Sequence, residues 1–165
     1  YRKLIERADA VARALGKERQ FVFIEGNNSV AAIISYVGCL RGGHVVHLLD
    51  PDKKYENDYL ISTYKPNVII RSMNMDWSIE RIHNESVMLH SDLCILLSTS
   101  GSTGSMKLVK LSYQNIQSNT DSIIEYLHMN KADRAISSLK FYYSYGMSII
   151  NPEAEENDDL EEFDS

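Results

Sequence analysis

The stretch Leu96–Ile116, "LLSTSGSTGSMKLVKLSYQNI", decides how this chain is read. It sets six hydroxyl residues (Ser98, Thr99, Ser100, Ser102, Thr103 and Ser105) around Gly101 and Gly104, then places Lys107, all between two apolar runs. Such a loop is too polar to be core. Backbone N–H groups of a glycine-rich turn can converge on an anion, hydroxyls add short hydrogen bonds, and a lysine adds one mobile positive charge. Together they suit a polyphosphate. The spacing is not that of a Walker A loop, because Ser105 and Met106 separate Gly104 from Lys107 and Leu108 follows the lysine. A flexible Ser/Gly hairpin loop is the bland alternative.

The flanking segments alternate between two periodicities. Leu4, Ala8, Val11, Ala12 and Leu15 repeat at helical spacing before Gly16. "FVFIEG" (21–26) is a short β-rich run, and Asn28 or Ser29 can cap a helix carrying Val30, Ile33, Ile34, Val37 and Leu40 up to Gly42 and Gly43. "HVVHLLD" (44–50) is the next strand, a weaker helix covers 52–64, and "NVIIR" follows Pro66. A mixed stretch, 72–89, shows no period to which an element can be assigned, although Asp76 and Glu80 are spaced as on a charged helical face, like Glu6 and Asp9. "DLCILLS" (92–98), "KLVKLS" (107–112) and "AISSL" (135–139) are further strands, with a helix from Ser112 through Leu127. Apolar strands alternating with helices predict an α/β fold with a largely parallel sheet flanked by helices.

Composition excludes several classes. With 165 residues, 44% of them hydrophobic, the chain can bury one core. No apolar run is long enough for a membrane span, and the amphipathic start lacks the profile of a signal peptide. Cys39 and Cys94 lie in apolar stretches without metal-ligand spacing, so buried thiols in a reducing, cytoplasmic setting are expected. The formal charge of −6 is uneven, since eight acids and no base lie between Glu153 and Ser165. Without them 17 basic residues face 15 acidic ones, a near-neutral body that offers no nucleic-acid groove. The expected division is a domain at 1–152 and an acidic, disordered tail at 153–165. His44 and His47, three positions apart on one strand, face opposite sides and make poor joint ligands; His83, His90 and His128 have no partners at metal spacing.

At these residues the sequence resembles a known family. "TSGSTGSMK", 99–107, is similar to the phosphate loop of the adenylate-forming enzymes, the acyl- and aryl-CoA synthetases, luciferases and peptide-synthetase adenylation domains, written [ST]SG[ST]TGxPK. "LSYQNI" (111–116) resembles "LSHxNL", "FYYSYG" (141–146) resembles "PFFHSYG", and "GCLRGGHVVHLLDP" (38–51) resembles "GxLxAGAVxVPLNP". The early helix also matches, and the matches fall in order along most of residues 1–150.

The resemblance implies the N-terminal part of the adenylate-forming fold and an ATP-dependent reaction in two halves. A carboxylic acid attacks the α-phosphorus of ATP, pyrophosphate leaves with Mg²⁺ assisting, and a thiol acceptor, CoA or a carrier, then takes the acyl group. Thr99, Ser100, Gly101, Ser102, Thr103, Gly104 and Lys107 would hold the phosphates, with Lys107 and Thr103 acting on the leaving group. Tyr142, Tyr143, Tyr145 and Gly146 would border the acyl pocket, Tyr143 standing where many members carry histidine. An ordinary core role for these aromatics is the competing reading. Met106 and Lys140 replace two prolines of the pattern and loosen both loops. The family's later motifs have no counterpart, so the expectation is an N-terminal fragment, inactive alone, with self-association or a complementary C-terminal half as partner. A truncated phosphate-binding module without chemistry, or an interaction fragment whose acidic tail meets a basic partner, are the alternatives.

Overall fold

The computed structural model describes residues 2–73, 75–84, 87–98, 107–130, 140–142, 147 and 151. Its elements follow the two periodicities. Helix α1 (Arg2–Leu15) buries Ile5, Ala8, Val11 and Leu15, one side chain per turn, and ends at Gly16 with φ +92°. Strand β1 (Phe21–Glu25) leads to α2 (Val30–Arg41), whose N-cap is Ser29: its hydroxyl accepts the Ala32 N–H at 3.1 Å. Strand β2 (Val45–Leu49), α3 (Lys54–Tyr64) and β3 (Val68–Met73) follow. Strands β4 (Asp76–Arg81), β5 (Leu93–Ser98) and β6 (Leu108–Ser112) precede α4 (Tyr113–Leu127), which opens on a capping box between Ser112 and Asn115.

The six strands form one sheet in the order β4-β3-β1-β2-β5-β6. The inner four are parallel, as expected from their unbroken apolar runs. Both edges are antiparallel: β4 runs back along β3, and β6 along β5. Strand β4 corrects the reading of 72–89 as unassigned and of Asp76 and Glu80 as a helical pair. Both lie on this strand, and the Glu80 carboxylate receives Arg71 at 3.0 Å. The strand does alternate, with Trp77 and Ile79 partly buried against the core and Asp76, Ser78 and Glu80 exposed, but it is a short edge strand in a polar stretch whose i, i+4 acids read equally well as a helical face. The expected strand 135–139 lies outside the described residues, as does the division at 152 and 153.

From β1 the chain steps to β2 on one side, then returns past β1 to β3 on the other. Right-handed crossovers in opposite directions place α2 and α3 on opposite faces. The core divides accordingly. Val22, Ile24, Val46, Leu48, Val68, Ile70 and Ile95 pack under α1 and α2, while Phe21, Phe23, Val45, Leu49, Ile69 and Leu96 pack with Leu60 of α3. Each such buried aliphatic or aromatic side chain stabilises the fold by about 1.5–3 kcal/mol relative to exposure. Helix α1 crosses α2 at Gly38, where an added Cβ would stand 2.5 Å from the Ala8 carbonyl oxygen.

Candidate functional site

Because the connections after β1 and β2 leave for opposite faces, a crevice opens between the carboxyl ends of these strands. This is the place where open parallel sheets take ligands. The segment Lys140–Tyr142 occupies it, held at several points. The Phe141 N–H donates to Asn28 Oδ1 at 2.8 Å, so this second capping candidate anchors a segment 113 residues away. Lys140 Nζ meets Asp52 Oδ2 at 2.9 Å and lies 5.5 Å from the Tyr142 ring centroid. Gly26 donates its N–H to the Leu49 carbonyl at 2.9 Å, and a Cβ on it would fall 2.7 Å from the Tyr142 Cβ. Glycine is needed here for close approach, not for an unusual φ.

The electrostatics follow from these contacts. Burial pushes the Tyr142 phenol up, the Lys140 ammonium pulls it down, and a hydrogen bond with Asp50 pushes it up again. Lys140 is raised by its contacts with Tyr142 and Asp52. The lysine in place of a proline is therefore compensated by Asp52 and does not put a bare charge into an apolar pocket. Phe141 is core: it is 2% exposed and packs edge-on against Tyr36 with ring centroids 5.2 Å apart.

The hydroxyl-rich segment is bracketed at the same end of the sheet. Strand β5 runs parallel to β2, with Val46 opposite Ile95 and His47 opposite Leu96, which sets Ser98 level with Leu49. Ser98 pairs with Leu108, and exposed Lys107 immediately precedes that pair. Thr99, Ser100, Gly101, Ser102, Thr103 and Gly104 lie outside the described residues, as do Tyr143, Tyr145 and Gly146. Of the residues picked from sequence, Lys107 and Tyr142 are described, and both stand at the carboxyl end of the parallel strands. Gly26, Asn28, Asp50 and Asp52 went unnoticed as partners of the aromatic segment. The glycine closing "FVFIEG", the Asn-Asn pair and the Asp-Pro-Asp turn were their only signals.

The remaining candidates have structural surroundings. His44 and His47 are buried on opposite sides of the β2 chain, and burial lowers both imidazoles. His44 Nδ1 accepts the Gln20 N–H, and His47 Nδ1 meets the Leu96 carbonyl at 2.9 Å. Cys39 and Cys94 are buried free thiols, the latter pushed up to about 12 chiefly by burial. Among the described residues no three His, Cys, Asp or Glu side chains could hold a metal ion, and no helix is long and apolar enough to cross a membrane.

A sheet of this topology, with its switch point beside a hydroxyl-rich connection, has the fold found in adenylate-forming CoA synthetases. ATP-bound MatB of Rhodopseudomonas palustris superposes with a TM-score of 0.75 at 22% identity, over 94% of this chain and 38% of that one. The o-succinylbenzoate CoA synthetase MenE of Bacillus subtilis, in complex with its acyl-adenylate intermediate, gives 0.74 at 18% identity over 93% and 46%. Tyrocidine synthase 3 of Brevibacillus parabrevis is 24% identical over 178 residues, 92% of this chain and 3% of that protein. No family model matches the chain. The chain thus spans less than half of each of these proteins, and the likeness establishes the fold.

Proposed function

We propose that this chain is the phosphate-gripping part of an ATP-dependent carboxylate ligase, one that forms an acyl-adenylate and passes the acyl group to a thiol. The observation that carries this reading is the convergence of two separate segments on one end of the sheet. The ladder pair Ser98–Leu108, which flanks the hydroxyl-rich run and Lys107 in sequence, lies at the carboxyl end of β5, the same end of the sheet at which Tyr142 is seated against Gly26. Two of the solved relatives are described with ATP or an acyl-adenylate bound, which agrees with it.

The chemistry needs positioning and charge neutralisation more than covalent participation by the protein. In this reading Lys107 offsets the negative charge that grows on departing pyrophosphate, with Thr103 donating to the same oxygens. Gly101 and Gly104 let backbone amides approach, and Thr99, Ser100 and Ser102 complete the cradle. Tyr142, with Tyr143, Tyr145 and Gly146, borders the acid. Mg²⁺ would assist in the complete enzyme; the described residues offer no ligand set for it. Acid, thiol acceptor, a complementary half and a cytoplasmic setting belong to the whole ligase. The second reading, a phosphate-binding module without chemistry, shares the same cradle.

Calorimetric titration of the chain with pyrophosphate, ATP and a fatty acid tests the proposal. Binding of both phosphates, weakened at least tenfold by Lys107→Ala, is expected. Equal binding by the variant removes Lys107 from the site.

A further inference from the structure

The opposite, amino end of the sheet holds a cavity of about 480 Å³, within the size range of small-molecule sites. It lies where the chain enters β1 and β3 and leaves β4, remote from the crevice at the carboxyl ends. Arg19 and Arg81 both line it, with His83, Gln20 and Glu18, while Leu89 supplies an apolar wall.

Both guanidinium groups are held in place by backbone. Arg19 donates from Nε to the Gly43 carbonyl at 3.1 Å, from Nη1 to that of His90 at 2.8 Å, and from Nη2 to that of Leu93. Arg81 donates from Nη2 to the carbonyls of Ala14 and Leu15 at the end of α1, at 3.1 and 3.3 Å. Carbonyls fix a guanidinium without cancelling its charge. Among the described residues no carboxylate lies within ion-pairing distance of either arginine. A guanidinium carries five N–H donors. Arg81 therefore keeps its Nε and Nη1 edge, and Arg19 keeps part of its fork, for another acceptor. The cavity floor is equally fixed: Asn67, 6% exposed, accepts the Phe21 N–H on Oδ1 and donates to the His83 carbonyl. Among the described lining residues Glu18 is the one acid, against two permanent cations and an imidazole.

Two immobilised, unneutralised guanidiniums facing one cavity form a preorganised anion receptor. We infer that the cavity lined by Arg19, Arg81 and His83 is a binding site for a small organic anion, a carboxylate or a phosphate ester, separate from the proposed nucleotide site. Leu89 would pack against a short apolar body.

Calorimetry on the whole chain, with inorganic phosphate and butyrate as separate probes, tests this. Saturable one-to-one binding of at least one probe is expected, weakened tenfold or more by Arg81→Gln and strengthened by Glu18→Gln. The second variant leaves the α1 carbonyl contacts intact and keeps the test valid if Arg81→Gln folds poorly. Phosphate alone binding assigns a phosphate-bearing ligand, and butyrate alone a carboxylate. No saturable binding of either probe, indifference to Glu18→Gln, or binding lost in Lys107→Ala, which would put the anion at the other end of the sheet, overturns the inference.

Discussion

Gly26→Ala probes the seat of the aromatic segment. The new Cβ would lie 2.7 Å from the Tyr142 Cβ and 2.9 Å from the Leu49 carbonyl oxygen, where ordinary contacts begin near 3.4 Å. An opening of about 0.7 Å is therefore required. Leu49 cannot give way freely, because its carbonyl accepts the Gly26 N–H at 2.9 Å and its strand is paired on both sides. The strain falls on Tyr142, whose preceding residue, Phe141, is tied to Asn28 through its N–H. Overpacking of this kind costs about 1–3 kcal/mol, or roughly a five- to 150-fold shift in the folded ratio. Gly26 has no positive φ, so backbone strain adds nothing. Gly16 is the converse control: open space around its Cβ, but φ +92°. Urea denaturation, with near-ultraviolet dichroism to follow tyrosine packing, reads both effects. Unchanged stability and an unchanged tyrosine signal in Gly26→Ala would refute the seating of Tyr142 against Gly26.

Other expectations follow from named contacts. His44 and His47 are held neutral by burial, so the unfolded chain binds more protons below its ordinary histidine pKa of about 6.5. Stability is then full above that pH and falls as pH drops toward the lowered folded values, by up to about 1.4 kcal/mol per pH unit for each histidine. Denaturation midpoints from pH 7.5 to 5 read this, and His47→Gln should flatten the slope; an unaltered slope excludes His47. Asn67→Ala leaves the buried Phe21 N–H without its acceptor and should cost about 1–3 kcal/mol, seen as a lower urea midpoint at constant m. Lys140→Ala breaks a solvent-exposed ion pair and should move the urea midpoint little, any difference vanishing in 1 M salt; a clear, salt-resistant loss would mean that Lys140 acts through packing.

How far the sequence revealed the fold depended on burial. The inner strands are apolar on both faces and read as continuous runs, and α1 writes its single buried stripe at helical spacing. Strand β4 alternates Trp77 and Ile79, turned to the core, with exposed Asp76, Ser78 and Glu80, but over so few residues that the alternation does not stand out from the charged stretch around it. The antiparallel sense of β6 could not be read from "LVKLS", since direction is set by pairing with β5. The proposed site rests on local motif chemistry, the hydroxyls before Lys107 and the aromatics after Lys140. The supports of the aromatic segment were not legible: Gly26, Asn28 and Asp52 matter only because a distant segment folds back onto them, and no local spacing encodes that return. The two arginines at the opposite end were hidden for the same reason, 62 residues apart in the chain and joined only by the sheet.

A crystal of the chain soaked with pyrophosphate would decide whether the hydroxyl-rich run is a phosphate cradle. The expected result is an anion at the carboxyl end of β5, beside Ser98, with Lys107 Nζ at ion-pairing distance. An anion absent from that end at saturating concentration, with Lys107 directed elsewhere, would contradict the proposed function.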